Sequence, residues 1–191
     1  GSRVSVAVRA SRCRRSVRGM TIHGDHPFLP AESDRSPVRR FRGRLPSPVS
    51  LWTTSYAGER AGLTVSSMLV ADGDPGYVIG LIDPDSDLWE TLRKARTAVV
   101  SLLGGPHQQL ADAFGYVAPA PGGPFRMIEW TDTEWGPAPV GVSSWAGCRL
   151  VDEDPPEVGW ALQVQLEIVH VELSTDEITP VVHRRGRYTT L

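Results

Sequence analysis

Apolar and polar positions alternate with a period of two over much of the chain after residue 47, the pattern of strands with one buried face. The first such stretch covers 48–56, with Val49 and Leu51 on one face and Ser50 and Trp52 on the other. Ala57-Gly58-Glu59 supplies a turn. A second strand is predicted over 60–70, alternating Leu63, Val65 and Ser67 against Thr64, Ser66 and Met68. After a turn at Asp72–Gly76, the unbroken apolarity of Tyr77–Ile82 predicts burial on both faces. Leu88, Leu92 and Ala95 then make a helical stripe, with Asp85, Ser86 or Asp87 as its cap.

Residues 98–103 return to a strand, and a second short helix begins near Pro106, burying Leu110, Ala111 and Phe114 before Gly115. A loop at 117–124 precedes a weak strand at 125–130 and another at 145–151. In the longest strand Trp160, Leu162, Val164, Leu166 and Ile168 share a face opposite Gln163, Gln165 and Glu167. The phase then changes to Val169, Val171 and Leu173, which predicts a bulge near 168–169. Upstream, Arg39 and Arg40 introduce a short helix ending near Leu45-Pro46.

Six or seven strands with two short helices imply a mostly β fold, a β-barrel with short peripheral helices. The 19 glycines and 16 prolines agree with many tight turns. No polar break after residue 40 separates two domains, so 38–191 reads as one domain and 1–37 as a disordered or extended lead-in. No apolar run approaches the length of a membrane-spanning helix.

Charge divides the chain. Residues 1–19 hold six arginines and no acid; the remainder has 14 basic against 22 acidic residues, a net of −8. Gly1-Ser2 resembles a cloning remnant and Met20 opens a different composition, so 1–19 is expected to be an upstream extension rather than a functional arm. The acidic body lacks a basic stripe, which argues against nucleic-acid binding. Two cysteines, Cys13 and Cys148, form no disulfide framework and fit a cytoplasmic setting.

The chemistry-bearing feature is a concentration of hydroxyls in 41–69: Ser47, Ser50, Thr53, Thr54, Ser55, Thr64, Ser66 and Ser67. Hydroxyls within apolar strands need partners. Either a bound polar ligand or cross-strand pairing and ordered water would supply them. The common nucleotide, metal and hydrolase motifs are absent. Gly104-Gly105 before a helix is a weak phosphate candidate. His23 and His26 lack metal-site companions, and His107, His170 and His183 read as structural or surface residues. Asp83, Asp85 and Asp87 suit a helix start. With no protein nucleophile in view, any reaction is expected to rest on a cofactor.

The ordered pattern resembles the flavin reductase-like family, with the FMN-binding split-barrel fold. Phe41–Thr54 is similar to its opening F-P-x-G-V-x-V-V-T-T strand, and Gly62–Ser67 to its G-x-T-x-S-S segment. Ser86 matches the serine before a helix, Val99–Phe114 resembles V-N-x-L followed by Q-x-x-L-A-x-x-F, and Cys148–Leu150 with His183–Tyr188 resembles the closing strands. The resemblance implies a homodimer whose flavin lies near the subunit interface, reducing FMN, or FAD, with NADH or NADPH, in some members for a partner monooxygenase. It implies flavin contacts from Ser47, Pro48, Thr64, Val65, Ser66, Ser67, Ser86, Ser101 and Phe114. Two positions depart from the pattern: Ser101 stands where Asn is frequent, and Gly159-Trp160-Ala161 replaces Gly-Asp-His near the nicotinamide. Trp160 then becomes a candidate contact for the nicotinamide or ring face. A non-catalytic flavin carrier or sensor is the alternative, and a split barrel for a deazaflavin or haem is a third reading.

Overall fold

A computed structural model describes residues 36–142, 144–174, 179–184 and 187–190. The expected lead-in lies outside these residues except at its end, where Ser36 caps helix α1 (Pro37–Arg42). Thereafter come β1 (Ser47–Pro48), β2 (Ser50–Tyr56), β3 (Glu59–Val65), β4 (Met68–Ala71), β5 (Tyr77–Ile82), α2 (Asp87–Ala95) and β6 (Thr97–Leu102). A 3₁₀ turn at Gly105–His107 leads into α3 (Gln108–Phe114). The remaining strands are β7 (Trp130–Thr133), β8 (Gly136–Pro139), β9 (Ser144–Leu150), β10 (Glu157–Val158), β11 (Ala161–Leu173), β12 (Val181–Arg184) and β13 (Arg187–Thr190).

The main sheet is antiparallel in the order β3-β2-β6-β9-β11-β5-β4, with β10 paired to β11. Its two outer strands, β3 and β4, are separated by only Ser66 and Ser67. Laid flat, seven strands would set those edges about 29 Å apart, whereas the chain from Val65 to Met68 reaches about 10 Å. The sheet therefore curls until its edges meet. Ser67 carries the β4–β5 pairing up to the seam, accepting the Leu81 N–H at its carbonyl (3.0 Å) and donating its hydroxyl to the Leu81 carbonyl (3.0 Å). No ladder joins β3 to β4 among the described residues, so the barrel is split there.

Trp52 spans the interior. A Cβ on Gly80, on β5, would lie 2.7 Å from the Trp52 indole, so glycine makes room for the ring. Around it pack Val65, Val78, Ile82, Val100, Leu150, Val164 and Leu166, with Leu88, Trp89 and Leu92 of α2 completing this core. A second core lies outside the barrel, where Val49, Leu51, Leu103, Leu110, Phe114 and Val181 meet. The β7–β8 hairpin lies over β2 and β6, and Thr53 donates to the Pro137 carbonyl at 2.6 Å. β1, β12 and β13 form a small separate sheet, with Ser47 opposite His183.

Several expectations change. The predicted strand over 60–70 is two strands, because the chain crosses the seam at Ser66-Ser67. Burial in β5 alternates, with Val78 and Ile82 inside and Leu81 41% exposed, so its apolarity is not two-sided burial. Residues 124–126 form a 3₁₀ turn, and the following strand starts at Trp130. Its partner β8 escaped the sequence reading because Pro137 and Pro139 suit only a strand with an unpaired edge. Trp160 precedes β11 and is 99% exposed rather than part of its buried face. The bulge is where the phase change put it, between Ile168 and His170.

Candidate functional site

The hydroxyl-rich segment divides into two groups once its partners are visible. Ser50 donates to the Val65 carbonyl (2.7 Å) and accepts the Trp52 indole N–H (3.2 Å). Thr54 donates to the Thr97 carbonyl at 2.6 Å and Thr64 to the Ala111 carbonyl at 2.7 Å. With Thr53, these hydroxyls are spent on backbone acceptors and tie β2 and β3 to their neighbours. Ser47 and Ser66 are half-buried, and neither hydroxyl has a hydrogen-bond partner among the described residues.

Those two free hydroxyls lie at the same end of the barrel. β2 and β3 pair with Ser50 opposite Val65, so Ser47-Pro48 and Ser66-Ser67 leave the ladder together. The Ser67–Leu81 bonds bring the end of β5 to this place, and Leu81 is two residues from the turn that starts α2. In that turn Ser86 donates to the Asp83 carbonyl (2.7 Å) and accepts the Trp89 N–H (3.2 Å) as the N-cap. The Ser86 hydroxyl thus orients the helix start, a polarity favourable to anionic or electron-rich groups. β11 pairs with β5 through Leu162 opposite Ile82, so Trp160 emerges beside the same turn. Ser47, Pro48, Thr64, Val65, Ser66, Ser67, Ser86 and Trp160 therefore share one end of the fold.

Ser101 and Phe114 sit deeper. Ser101, opposite both Leu51 and Trp145, is fully buried with no partner for its hydroxyl. Phe114 is buried against Phe125 and Trp130, in edge contacts of 4.9 and 5.8 Å, and against Gly62. One neighbour was not evident from sequence: Tyr116, at φ 56°, directs its hydroxyl to Asp87 Oδ2 (3.4 Å), joining the end of α3 to the start of α2. A non-glycine residue with positive φ gives little signal in a single sequence.

The other candidates are structural. The Gly104 N–H donates to His107 Nδ1 (3.2 Å) and the Gly105 N–H to the Thr179 carbonyl (3.2 Å), leaving neither for a phosphate. Burial holds the His107 pKa below its usual value, opposed by a backbone hydrogen bond with Gly141. His183 is also lowered, first by burial and then by the Arg42 charge, with Asp112 opposing. Its ring meets Tyr188 edge-on at 5.6 Å, and burial chiefly, then Asp112, raises the Tyr188 phenol. His170 stacks on Trp135 at 4.9 Å. Burial pushes the Cys148 thiol up to about 12, which removes it as a nucleophile. His23 and His26 lie outside the described residues. Among those described, no helix is long and apolar enough to cross a membrane.

What this end can do is bind. Free hydroxyls, backbone amides and a helix start, with no charged acid–base pair, suit a ring and side chain rich in carbonyls, hydroxyls and ring nitrogens. Known proteins are similar to this chain over most of its length. The chain is 32% identical over 173 residues to the FMN reductase (NADH) RutF of Methylorubrum populi, covering 90% of this chain and 83% of that protein. It is 25% identical to the reductase component of a 4-nitrophenol 4-monooxygenase/4-nitrocatechol 2-monooxygenase of Rhodococcus opacus, covering 81% and 80%. Among solved structures, the Streptomyces globisporus NADH:FAD oxidoreductase SgcE6, in complex with NAD and FAD fragments, superposes with TM-score 0.72 at 21% identity, covering 85% and 96%. Nitrilotriacetate monooxygenase component B from Mycobacterium thermoresistibile gives TM-score 0.72 at 23% identity, covering 81% and 84%. The model of the flavin reductase like domain matches residues 42–191, and the chain belongs to that family.

Proposed function

We propose that this protein is an NAD(P)H-dependent flavin reductase whose flavin occupies the split end of the barrel. The observation that carries this reading is the convergence of the free Ser47 and Ser66 hydroxyls with the α2 start, in a chain of the flavin reductase family. The residues fit such a group: the two hydroxyls are half-buried and uncommitted, while those of Thr64 and Ser67 bond neighbouring carbonyls and fix the walls. When bound, the flavin supplies the hydride-accepting chemistry. The chain supplies position. Ser47 and Ser66 hydrogen-bond polar atoms of the cofactor, Pro48 and Val65 border it, and Ser67 and Ser86 hold the seam and the helix start in place. Ser101 and Phe114 support the site from behind, and Trp160 offers its exposed face to a nicotinamide or flavin ring. FMN is the preferred flavin, and NADH or NADPH the donor.

The names of the relatives support a supply role, with reduced flavin passing to a monooxygenase. The protein acts as a homodimer built on the domain 38–191, and in the cytoplasm, where reduced nicotinamides are available. A second reading, a flavin carrier or sensor, draws on Trp160-Ala161 standing in place of Asp-His.

Anaerobic stopped-flow absorbance separates the two readings. Protein loaded with FMN or FAD and mixed with NADH or NADPH should bleach the oxidised-flavin band far faster than free flavin does. Tight flavin binding without bleaching by either nucleotide would overturn the reductase reading and leave the carrier.

A further inference from the structure

The small sheet brings two arginine-bearing segments to the margin of the candidate site. α1 ends in Arg39, Arg40 and Arg42. The chain stays wound beyond it, because the Gly43, Arg44 and Leu45 N–H groups donate to the Arg39, Phe41 and Arg42 carbonyls (3.0, 3.0 and 3.1 Å). Ser47 then enters β1 opposite His183 of β12, and Arg184 follows His183 directly. The Arg42 charge reaches His183, so the end of α1 lies beside β12. These segments are far apart in sequence, and the patch they form is invisible along the chain.

The five arginines are exposed and uncommitted. Arg60, Lys94 and Arg96 are ion-paired to Asp132, Glu90 and Glu153. Arg39, Arg40, Arg42, Arg44 and Arg184 have no carboxylate partner among the described residues. Asp112, whose charge also reaches His183, is engaged by the Tyr188 hydroxyl. A helix C-terminus favours nearby cations, which accounts for arginines on α1 but not for Arg184 on another element. Beyond residue 19 the chain has 14 basic against 22 acidic residues, so this patch opposes the sign of the molecule that carries it.

We propose that the patch binds the 2′-phosphate of NADPH and makes NADPH the preferred hydride donor. The proposal rests on the reductase reading and chooses between its two donors. NADPH differs from NADH only in that monoester, which carries about two negative charges near pH 7. Guanidinium groups grip phosphate oxygens in pairs, so arginines from two elements can hold one monoester. Ser47 joins the two places: its hydroxyl is free at the split end, and its backbone pairs with the strand that carries Arg184. A donor whose nicotinamide meets the flavin at that end has these arginines at its margin for the other half of the molecule. Half-buried hydroxyls suit the flavin, whereas long exposed side chains suit a co-substrate that arrives and leaves, drawn by local charge to an otherwise acidic protein.

Isothermal titration calorimetry of the full chain reads the patch without turnover. Adenosine 2′,5′-bisphosphate should bind about tenfold more tightly than ADP, which has the same number of phosphates, a gain in the range of hydrogen bonds to charged groups. Arg42→Ala/Arg44→Ala/Arg184→Ala should abolish that difference with the circular dichroism spectrum unchanged. Arg93→Ala/Arg149→Ala, which removes exposed arginines elsewhere, should preserve it. With FMN-loaded protein, kcat/KM for NADPH should exceed that for NADH by a similar factor, an advantage lost in the triple variant and reduced by salt. Equal binding of the two adenosine nucleotides, with equal or better use of NADH, would overturn the proposal and leave the reductase standing. A triple variant that weakens FAD relative to FMN, with bisphosphate binding unchanged, would assign the patch to the flavin diphosphate and overturn it as well. Bleaching by neither donor would overturn the reductase reading, and the choice of donor with it.

Discussion

At the scale of single residues, the barrel depends on a few close approaches. Gly80 is one of them, because a side chain there meets the Trp52 ring at 2.7 Å inside the barrel wall. Gly80→Ala should destabilise the fold by about 1–3 kcal/mol, the usual cost of overpacking, read as a lower denaturation midpoint at unchanged slope. The hydroxyls show what the sequence could reveal at this scale. Their concentration in 41–69 was evident, but Ser50, Thr53, Thr54 and Thr64 bond carbonyls that come mostly from distant parts of the chain. Sequence identifies a hydroxyl, not its acceptor, so the uncommitted Ser47 and Ser66 could not be separated from the rest. Trp160 misled for a similar reason: it keeps phase with Leu162 and Val164 although the strand begins one residue later.

At the scale of elements, local signals proved reliable where chemistry punctuates the chain. The α2 stripe and its cap were legible, and Ser86 is the cap among the three candidates. Ser86→Ala removes the acceptor for the Trp89 N–H and should cost about 1 kcal/mol of stability. It should also weaken flavin binding, by loosening the helix start that borders the site. Thermal melts with and without FMN separate the two effects, since loss of the cap lowers both curves while a weakened site also narrows the gap between them. The bulge was legible because two adjacent apolar residues, Ile168 and Val169, break a period of two. The passage from β3 to β4 left only a phase break, the adjacent Ser66 and Ser67 between Val65 and Met68, and such a break does not say that the chain moves from one sheet edge to the other.

At the scale of the molecule, two half-buried histidines link stability to pH. His107 and His183 both have folded-state pKa values below the ordinary value near 6.5. The folded protein therefore binds fewer protons than the unfolded chain as pH falls through this range. Their contribution is fully present above about pH 6.5 and is lost as pH falls through the lowered folded values. Denaturation midpoints should drop between pH 7 and 5, and His107→Gln should flatten that slope while leaving the His183 share. The split barrel itself was legible from strand count, turn content and the ordered resemblance. The strand order that closes it was not, because it depends on which strands become neighbours.

Closure also bears on binding. Ser66-Ser67 joins strands adjacent in sequence but at opposite edges of the sheet, so this link reaches its final geometry only when every strand between them is in register. The end that holds Ser47 and Ser66 therefore takes its shape from the sheet as a whole. A ligand held there senses the whole sheet, and its affinity reports the integrity of strands it never touches.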